Sequence, residues 1–568
     1  MLMDGRMCFP CLVPVGGGTA GAVLASRLTE NPDWKVLVLE AGGDETELSD
    51  VPVIAQYMQL GNLDWQFKTE PQPTACRAMK HWRCNYPRGK VLGGSSVLNY
   101  MLYVRGNKKD YDNWALHGNY GWSFEEVLPY FKKSEDNLNP YIAKNKKYHS
   151  TGGYLTVTEP PYRSPLAVAL VAGGVEMGYE NVDFNAERQT GFSFPQGTLR
   201  RGARCSAAKA FLRPVRLRPN LHVSLRTFVH KVLINGQKRA WGVKYEKNGE
   251  VRVAKARKEI IVHVIQDLKV GYNLQDHIGI GAATFVVKKP VGLIQPRFEN
   301  VPTILKYALF GKGPLTSMGG IEGLAFINTK YANASEDWPD IEYHFTSGTA
   351  ANDGGRQIRR IHGLNDRTWH EYFKPIAFRD TWSAFPTLLR PKSRGLIRLR
   401  SKNVHDYPLI YHNYLTHPED VARLVEGLKM SVVLSETKAF LKLGSAFYDK
   451  MFPGCEHTQF FTDAYFECLA RHYTETIYHF SGTAKMGPYW DPDAVVDPEL
   501  RVYGIQDLRV VDCSIFPEIP SGNTNAPVIM TAEKAADMIK VRWGYTKDII
   551  DIHHSSIGED TGYGHKRG

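Results

Sequence analysis

The sequence contains no run of apolar residues long enough for a membrane-spanning helix, which needs about 20 in succession, although 43% of its 568 residues are hydrophobic. It also lacks a dense block of lysine and arginine beyond short runs such as Lys144–Lys147, and its net charge of +11 is modest for this length. A nucleic-acid-binding chain concentrates its basic residues, so no nucleic-acid partner is expected. Repeats and low-complexity runs are absent, which leaves a globular chain of two or three domains.

Cysteine is scarce, with eight residues in the chain. Cys8 and Cys11 have the spacing of half a zinc or redox motif, but no second such pair follows, so no metal site is predicted. Two further pairs lie close in sequence: Cys76 with Cys84, and Cys455 with Cys468. Either of these pairs is a candidate disulfide, which would place the chain in an oxidising compartment. The segment Met1–Pro14 is too short and too polar to predict a signal peptide.

The N-terminal region predicts a strand, a glycine loop, a helix and a second strand. Ala22–Leu28 has helical apolar spacing, and Lys35–Leu39 is a short apolar strand that ends at Glu40. The candidate phosphate-binding residues follow the pattern G-x-G-x-x-G: Gly16, Gly18, Thr19, Ala20 and Gly21. The glycines allow a tight turn, a close approach to a pyrophosphate at the helix N-terminus, and close packing of helix on strand.

Glu40 is placed where its carboxylate can accept hydrogen bonds from ribose hydroxyls. The loop by itself does not separate NAD from FAD as the ligand. Pro10 and Pro14 fall in the expected first strand, and since proline cannot donate to a strand ladder, we expect this strand to be short or distorted. Nearer the C-terminus, Leu508–Val511 is predicted as a strand and Ala532–Ile539 as a helix.

A second glycine-rich segment, residues 89–112, has the sequence GKVLGGSSVLNYMLYVRGNKKDYD. Its Gly93-Gly94-Ser95-Ser96 stretch offers free backbone N–H groups to a phosphate or a flavin edge, or else forms an ordinary tight turn. The segment resembles the first signature of the glucose-methanol-choline (GMC) oxidoreductases at every constrained position. Other segments that resemble this family are Arg204–Pro214, Asn273–His277, Pro391–Gly395 and Tyr478–Gly487. The Cys76/Cys84 pair and the YPRGK sequence resemble the insect glucose dehydrogenase (FAD, quinone)-like branch.

The resemblance implies an α/β fold in which a discontinuous Rossmann-like FAD-binding domain is joined to a substrate domain with an antiparallel sheet. The implied boundaries are residues 1–289 for the first part of the FAD-binding domain, 290–471 for the substrate domain, 472–545 for the return to the FAD-binding domain, and 546–568 for a tail. FAD is the implied cofactor. Leu98 stands where some members carry a histidine that links the flavin, so the resemblance implies non-covalent FAD.

The resemblance also implies the residues around the cofactor. Besides the glycine loop and Glu40, these are Val91, Gly93, Ser95, Asn99, Met101, Leu102, Val229, Asp512, Cys513 and Asn523. Val229 occupies the position whose backbone meets the adenine. Asp512 is expected near the ribityl chain or pyrophosphate.

His479, in the YHFSGTAKMG motif, maps to the family's active-site histidine. A base with a pKa near neutral suits removal of the hydroxyl proton of an alcohol while its hydride moves to flavin. Asn525 is assigned to the second active-site position, and Asn523 is the competing assignment. The family resemblance implies a sugar or other alcohol as substrate, a quinone-like electron acceptor and a secreted protein.

The chain departs from the family where a second signature should follow Val262. Instead it continues directly through His263 and Val264 to Ile265. The missing piece would include the end of a strand of the FAD sheet, and we hypothesise that the chain is a shortened form of a functional parent. Two function classes follow: an active FAD-dependent dehydrogenase, or a non-catalytic or impaired paralogue or isoform that keeps the fold. A third function class is an NAD-dependent dehydrogenase. In that case the flavin-type motifs at residues 89–112 and Tyr478–Gly487 would have to be coincidental.

Overall fold

The computed structural model describes residues 10–262 and 268–550, together with the backbone of residues 2–3 and 6–7. Cys8 and the junction at residues 263–267, where the sequence analysis predicts a missing family signature, lie outside the described residues. Within them the predicted α/β class is confirmed, since one parallel sheet and several antiparallel sheets are combined with helices.

A five-stranded parallel sheet gathers segments from both ends of the chain. Its strands lie in the order Leu221–Ser224, Val36–Leu39, Leu12–Pro14, Glu259–Val262 and Leu508–Val510. The central strand has only three residues, as its prolines predict. The ladder continues past Pro14 because the N–H of Val15 donates to the carbonyl of Ile261 at 2.8 Å, and that of Gly16 to Leu39 at 2.7 Å. The strand therefore leads straight into the glycine loop.

The helices Thr19–Leu28 and Asn525–Arg542 pack against each other at this sheet. Arg27 of the first donates two hydrogen bonds, of 2.7 and 2.9 Å, to the buried carboxylate of Glu533 in the second. Removing one partner of a buried ion pair costs about 3–5 kcal/mol, because it leaves the other charge uncompensated. This pair fixes the N-terminal and C-terminal segments to each other.

A six-stranded antiparallel sheet forms the centre of the second half of the molecule, which confirms the predicted sheet type. Its strands lie in the order Thr474–Thr476, Ile278–Ile280, Pro386–Leu388, Ile341–Thr346, Ile321–Ile327 and Gly191–Ser193. The first, second and last of these strands fall outside the predicted range 290–471. The domain boundaries stay a prediction, and this sheet draws on both sides of them.

The remaining elements are shorter or lie around these two sheets. A three-stranded antiparallel sheet contains Thr227–Ile234, Ala240–Lys247 and Glu250–Lys255, and a second contains Thr381–Trp382, Phe285–Val286 and Ala446–Phe447. Paired short strands are Leu2–Met3 with Arg6–Met7, Phe67–Lys68 with Asn85–Tyr86, Glu135–Asn137 with Leu155–Val157, Leu199–Arg200 with Ala203–Arg204, and Leu396–Arg398 with Leu409–Tyr411. The other α-helices are Lys108–Leu116, Phe124–Ser134, Pro165–Glu176, Gln295–Phe298, Val301–Phe310, Ile358–His362, Asp366–Thr368, Pro418–Ser435, Lys438–Leu441 and Asp463–His472.

Two large hydrophobic cores surround the two main sheets. Both candidate cysteine pairs are disulfides, Cys76–Cys84 with a Cα separation of 6.0 Å and Cys455–Cys468 with one of 5.8 Å, and all four cysteines lie in the second core. Among residues 10–262 and 268–550, no helix has the length and hydropathy of a membrane span.

Candidate active site

A cavity of about 1560 Å³ lies between the two cores. Sites for drug-sized ligands usually measure about 300–1,000 Å³, so this one has room for a larger ligand such as a dinucleotide together with a small substrate. The predicted residues that line it are Gly16, Gly18, Thr19, Ala20, Glu40, Ser95, Asn99, Met101, Leu102, Val229, His479, Asp512, Cys513, Asn523 and Asn525. Three others, Gly21, Val91 and Gly93, are not part of its wall. The structure thus brings most of the predicted set together.

The two glycine-rich segments meet at one wall of the cavity. The N–H of Gly93 donates to the carbonyl of Gly17 at 2.7 Å. A Cβ on Gly94, which has φ = +56°, would come within 2.7 Å of the Cα of Gly18. A Cβ on Gly21 would lie 2.0 Å from the carbonyl oxygen of Gly16. Gly21 and Gly93 therefore lie behind the cavity wall and allow the two glycine-rich segments to pack closely. Because these glycines have no side chains, the wall in front of them stays flat.

Two helix N-termini point at this wall. Thr19–Leu28 begins after Gly18, with no acidic residue in its first turn and no side-chain cap. Asn525–Arg542 begins beside it, and the Thr19 hydroxyl donates to Oδ1 of Asn525 at 3.3 Å. Unpaired N–H groups and the positive ends of two helix dipoles make this wall suited to a pyrophosphate. The residues present therefore fit the phosphates of a dinucleotide such as FAD.

The carboxylate of Glu40 holds the loop in shape. Its two oxygens accept hydrogen bonds from the backbone N–H of Gly17 at 2.8 Å and of Gly42 at 2.7 Å. The Glu40 side chain also lines the cavity. The predicted contact with ribose hydroxyls remains a prediction.

His479, which also lines the cavity, is held by the Asn273–His277 segment. Asp276 accepts a hydrogen bond from the backbone N–H of His479 at 2.9 Å, and its other oxygen accepts from Tyr414 and Thr476. The strands Ile278–Ile280 and Thr474–Thr476 pair so that His277 and His479 lie side by side at their ends. Tyr478, next to His479, has φ = +70°, a left-handed conformation that is strained for a non-glycine residue.

The tautomer of His479 follows from its neighbours. Nε2 of His277 lies 2.9 Å from the carbonyl oxygen of Leu389, which only accepts, so this nitrogen carries a proton. Burial, the largest cause, lowers the pKa of His277 to about 4, so the ring is neutral and its Nδ1 is an acceptor. Nδ1 of His479, 2.9 Å away, must then donate. Nε2 of His479 consequently keeps its lone pair, on the side of the ring that faces Asn523.

Asn523 stands between two histidines. Its Nδ2 lies 3.3 Å from Nε2 of His479, to which it donates, and 3.3 Å from Nε2 of His344. His344 comes from the strand Ile341–Thr346, and its Nδ1 lies 3.2 Å from the hydroxyl of Thr387. We call His277, His344 and His479 the histidine cluster. Burial lowers the pKa of all three histidines, so their rings are neutral. The cluster therefore interacts with a bound molecule through lone pairs and N–H groups and not through charge.

Of the two asparagines considered for this position, the structure brings Asn523 to His479. Asn525 also lines the cavity, but its side chain is bonded to Thr19 at the glycine loop. The two residues flank Thr524, the N-cap of the last helix, and their side chains have different partners: the glycine-loop residue Thr19 for Asn525, and His479 and His344 for Asn523. The geometry therefore favours the competing assignment, Asn523, for the position beside His479.

The pKa of His479 departs from the near-neutral value expected from the sequence. Burial is the main cause that lowers this pKa well below 6.5, and His277, His344 and Arg88 lower it further. Cys513, which also lines the cavity, donates to the carbonyl of Phe480 at 3.0 Å, and burial raises the pKa of its thiol to about 12. Both side chains are uncharged at neutral pH.

Sequence reasoning missed His277 and His344. His277 ends the Asn273–His277 segment, which the sequence analysis recognised as a family block without giving any residue a role. His344 could have been found from the sequence, because Glu342, His344 and Thr346 alternate with the apolar residues of their strand. A polar face at period two in a fully buried strand indicates a polar cavity rather than a second layer of core.

The comparisons with known proteins agree with this arrangement. Sequence profiles of the GMC oxidoreductases match residues 12–266 and 391–532. The chain is 40% identical over 569 residues to glucose dehydrogenase (FAD, quinone) of Drosophila pseudoobscura pseudoobscura, covering 95% of this chain and 88% of that protein. It is 36% identical over 562 residues to an oxygen-dependent choline dehydrogenase of Rhizobium meliloti, covering 93% of this chain and 95% of that one.

Among solved structures, pyridoxine 4-oxidase from Mesorbium loti superimposes with a TM-score of 0.76 at 26% identity, covering 92% of this chain and 98% of that one. The sequence and structure comparisons thus agree over more than nine tenths of the chain, and the profiles agree with them over residues 12–266 and 391–532. The chain belongs to the GMC oxidoreductase family, whose members are FAD-binding flavoproteins.

Proposed function

We propose that the protein oxidises the CH–OH group of a sugar or other alcohol, with His479 as the base that takes the hydroxyl proton. The observation that carries this proposal is the accepting lone pair on Nε2 of His479, whose only hydrogen-bond partner among the described residues is the Asn523 amide, in the cavity that the two glycine loops also line. A lone pair fixed in one direction is what a base needs to accept a proton from a positioned hydroxyl.

The histidine cluster and Asn523 supply the substrate end of the site. The 3.3 Å contact from the Asn523 amide to His479 is long, so a substrate hydroxyl can compete for this lone pair. Once the hydroxyl donates to Nε2, the Asn523 N–H is placed to hydrogen-bond the same oxygen and stabilise its developing negative charge. Burial keeps His479 neutral over a wide range of pH, so the Nε2 lone pair is present before the proton moves.

We assign the phosphate end to the glycine loop, the N-terminus of the last helix and Asn525. When bound, FAD supplies the acceptor for the hydride that leaves the substrate carbon. Non-covalent attachment is supported by Leu98, which lines the cavity but has no group that can form a bond to a flavin. Val229 and Glu40 remain the proposed contacts for adenine and ribose.

The quinone-like acceptor and the secreted location are proposed from the similarity to glucose dehydrogenase (FAD, quinone) of Drosophila pseudoobscura pseudoobscura. The two disulfides are consistent with an oxidising compartment. A non-catalytic paralogue or isoform is the second candidate, and the specific observation that favours it is the missing family signature after Val262.

A flavin absorbance spectrum of the purified protein tests the proposal and separates the two candidates. We expect a yellow protein whose flavin absorbance is bleached by D-glucose or another alcohol under anaerobic conditions. The matched variant is His479→Gln, which should bind flavin to the same extent and lose most of the bleaching rate. A colourless wild-type protein that takes up no added FAD would refute the enzyme and favour the non-catalytic form.

A further inference from the structure

The helix Val301–Phe310 turns an apolar stripe outward. It contains no buried residue. Val301, Ile304, Leu305 and Leu309 are 68%, 49%, 54% and 71% exposed, and Ala308 between them is exposed as well. These positions follow the i, i+3, i+4, i+7, i+8 spacing of one helix face. An amphipathic helix ordinarily buries such a face, so its exposure calls for an explanation.

The opposite face of the helix is already in use. Thr303 and Tyr307 are its half-buried residues. Tyr307 packs against a small apolar cluster formed by Val53, Phe298 and Leu315. Its hydroxyl donates to the backbone carbonyl of Asp50 at 3.4 Å. Since this contact fixes the rotation of the helix about its axis, the apolar stripe cannot turn inward without breaking it.

Basic residues flank the stripe. Lys306 lies on its edge, Lys312 follows in the next turn, and the exposed Arg201 is held beside them because the backbones of Gly202 and Gly311 are in contact. Within residues 10–262 and 268–550, no carboxylate lies within ion-pair distance of Lys306 or Lys312. An apolar stripe beside uncompensated positive charge is the pattern of a helix that lies in the interface of an anionic membrane.

We propose that the helix Val301–Phe310 docks the protein on the surface of an anionic lipid bilayer. The apolar stripe and the exposed ring of Phe310 would enter the boundary between head groups and acyl chains, and the basic residues would contact lipid phosphates. A second copy of the chain is the less suitable occupant. A stable interface takes about 20–30 residues a side, whereas the stripe offers five, and two such helices would bring like charges together.

The docking helix is directly connected to the cavity wall. Phe298, which packs on Tyr307, lines the cavity, as does Val53 of the same cluster. A docked molecule would therefore hold this side of the cavity near the lipid. If the proposed function holds, this position lets a lipid-soluble quinone reach the cavity from the bilayer. Lipid binding itself does not depend on that function.

Co-sedimentation with vesicles tests the docking. The probes are vesicles of phosphatidylcholine alone and of phosphatidylcholine mixed with phosphatidylserine, and the protein is the full chain with its natural flavin content. We expect binding to the mixed vesicles and little to the zwitterionic ones. The double variant Leu305→Ser with Leu309→Ser should lower the partition coefficient at least about tenfold, because each leucine contributes its buried apolar area. Lys306→Gln with Lys312→Gln should weaken binding to the mixed vesicles only.

Leu217→Ser is the matched control, since Leu217 is 85% exposed and lies outside the helix. It should bind vesicles as the wild type does. Equal binding of the wild type and the leucine double variant would overturn the proposal, as would no binding to either vesicle. A dimer of the wild type in sedimentation velocity that the double variant lacks would also overturn it, in favour of an interface between copies. The flavin spectrum of every variant is recorded, so a failure of the proposed enzyme function is seen separately.

Discussion

The hydrogen bond between His277 and His479 gives the most direct test of the active-site reasoning. His277→Leu removes the acceptor for the Nδ1 proton of His479 without adding a polar group. The ring of His479 is then free to place its proton on Nε2 instead, and that tautomer cannot accept a substrate proton. His277→Gln is the conservative partner, because its amide oxygen can accept from His479 while its NH₂ donates to the carbonyl of Leu389.

The size of the effect follows from burial. The Nδ1–H group of His479 lies in a side chain that is only 8% exposed, and a buried donor left without a partner costs about 1–3 kcal/mol. If that cost is relieved by the change of tautomer, the competent fraction falls by about 5- to 150-fold. Direct loss of the base in His479→Gln should cost more, about 10²- to 10⁴-fold.

Anaerobic stopped-flow reduction of the bound flavin measures this effect, with the alcohol that bleaches the wild type. The flavin-to-protein ratio of each variant is determined first. We expect a slow leucine variant, a glutamine variant within a few fold of the wild type, and equal flavin content in all three proteins. Equal rates in the leucine and glutamine variants would refute the tautomer argument, and loss of flavin from the leucine variant would show a structural role instead.

Three further outcomes are expected. Gly21→Ala should lower the flavin-to-protein ratio severalfold, because the new Cβ would lie 2.0 Å from the carbonyl oxygen of Gly16 in the glycine loop. Gly43→Ala is the control and should leave the ratio unchanged, since no atom lies within 4 Å of the Cβ it would add. Equal ratios in the two variants would contradict the role of the loop in binding flavin. Asn523→Ala should slow flavin reduction about 5- to 150-fold at unchanged flavin content, while Asn525→Ala should lower flavin content, and the reverse pattern would restore the original assignment. The stability that the wild type has relative to the double variant His277→Gln with His344→Gln should fall as the pH drops below 6.5, since the folded pKa values of these histidines, about 4 and 3, lie below the unfolded value. The loss is about 1.4 kcal/mol per pH unit for each histidine, and the comparison with the variant cancels the opposite contribution of Asp276 and Glu342, whose pKa values burial raises. A stability difference that is the same at neutral pH and at about pH 5 would contradict this.

Much of the nucleotide-binding half was predictable because its signals are local. The glycine loop, the strand before it and the helix after it lie within a few residues of one another, and the structure has them as Leu12–Pro14 and Thr19–Leu28. The prolines correctly predicted a short first strand. The last helix was predicted from Ala532, yet it begins at Asn525, because Pro527 is tolerated in a first turn where no intrahelical N–H bond is lost.

The antiparallel half was less predictable because its strands come from distant parts of the chain. Gly191–Ser193 pairs with Ile321–Ile327, and Ile278–Ile280 pairs with Thr474–Thr476. Strand pairing at such separations leaves no mark at a fixed sequence spacing. The predicted range 290–471 therefore omitted three strands of the sheet.

The sequence by itself determined that the chain has a phosphate-binding glycine loop, the family to which it is related, and His479 as the candidate base. Each of these depends on a short motif with its own chemistry. Only the tertiary structure decided how that histidine is protonated. The direction of its lone pair depends on a carbonyl of Leu389, a ring of His277 and an amide of Asn523, which are far apart in the chain and meet only where two strands and a helix entry converge. A proton's position is set by neighbours in space, and a linear pattern does not contain them.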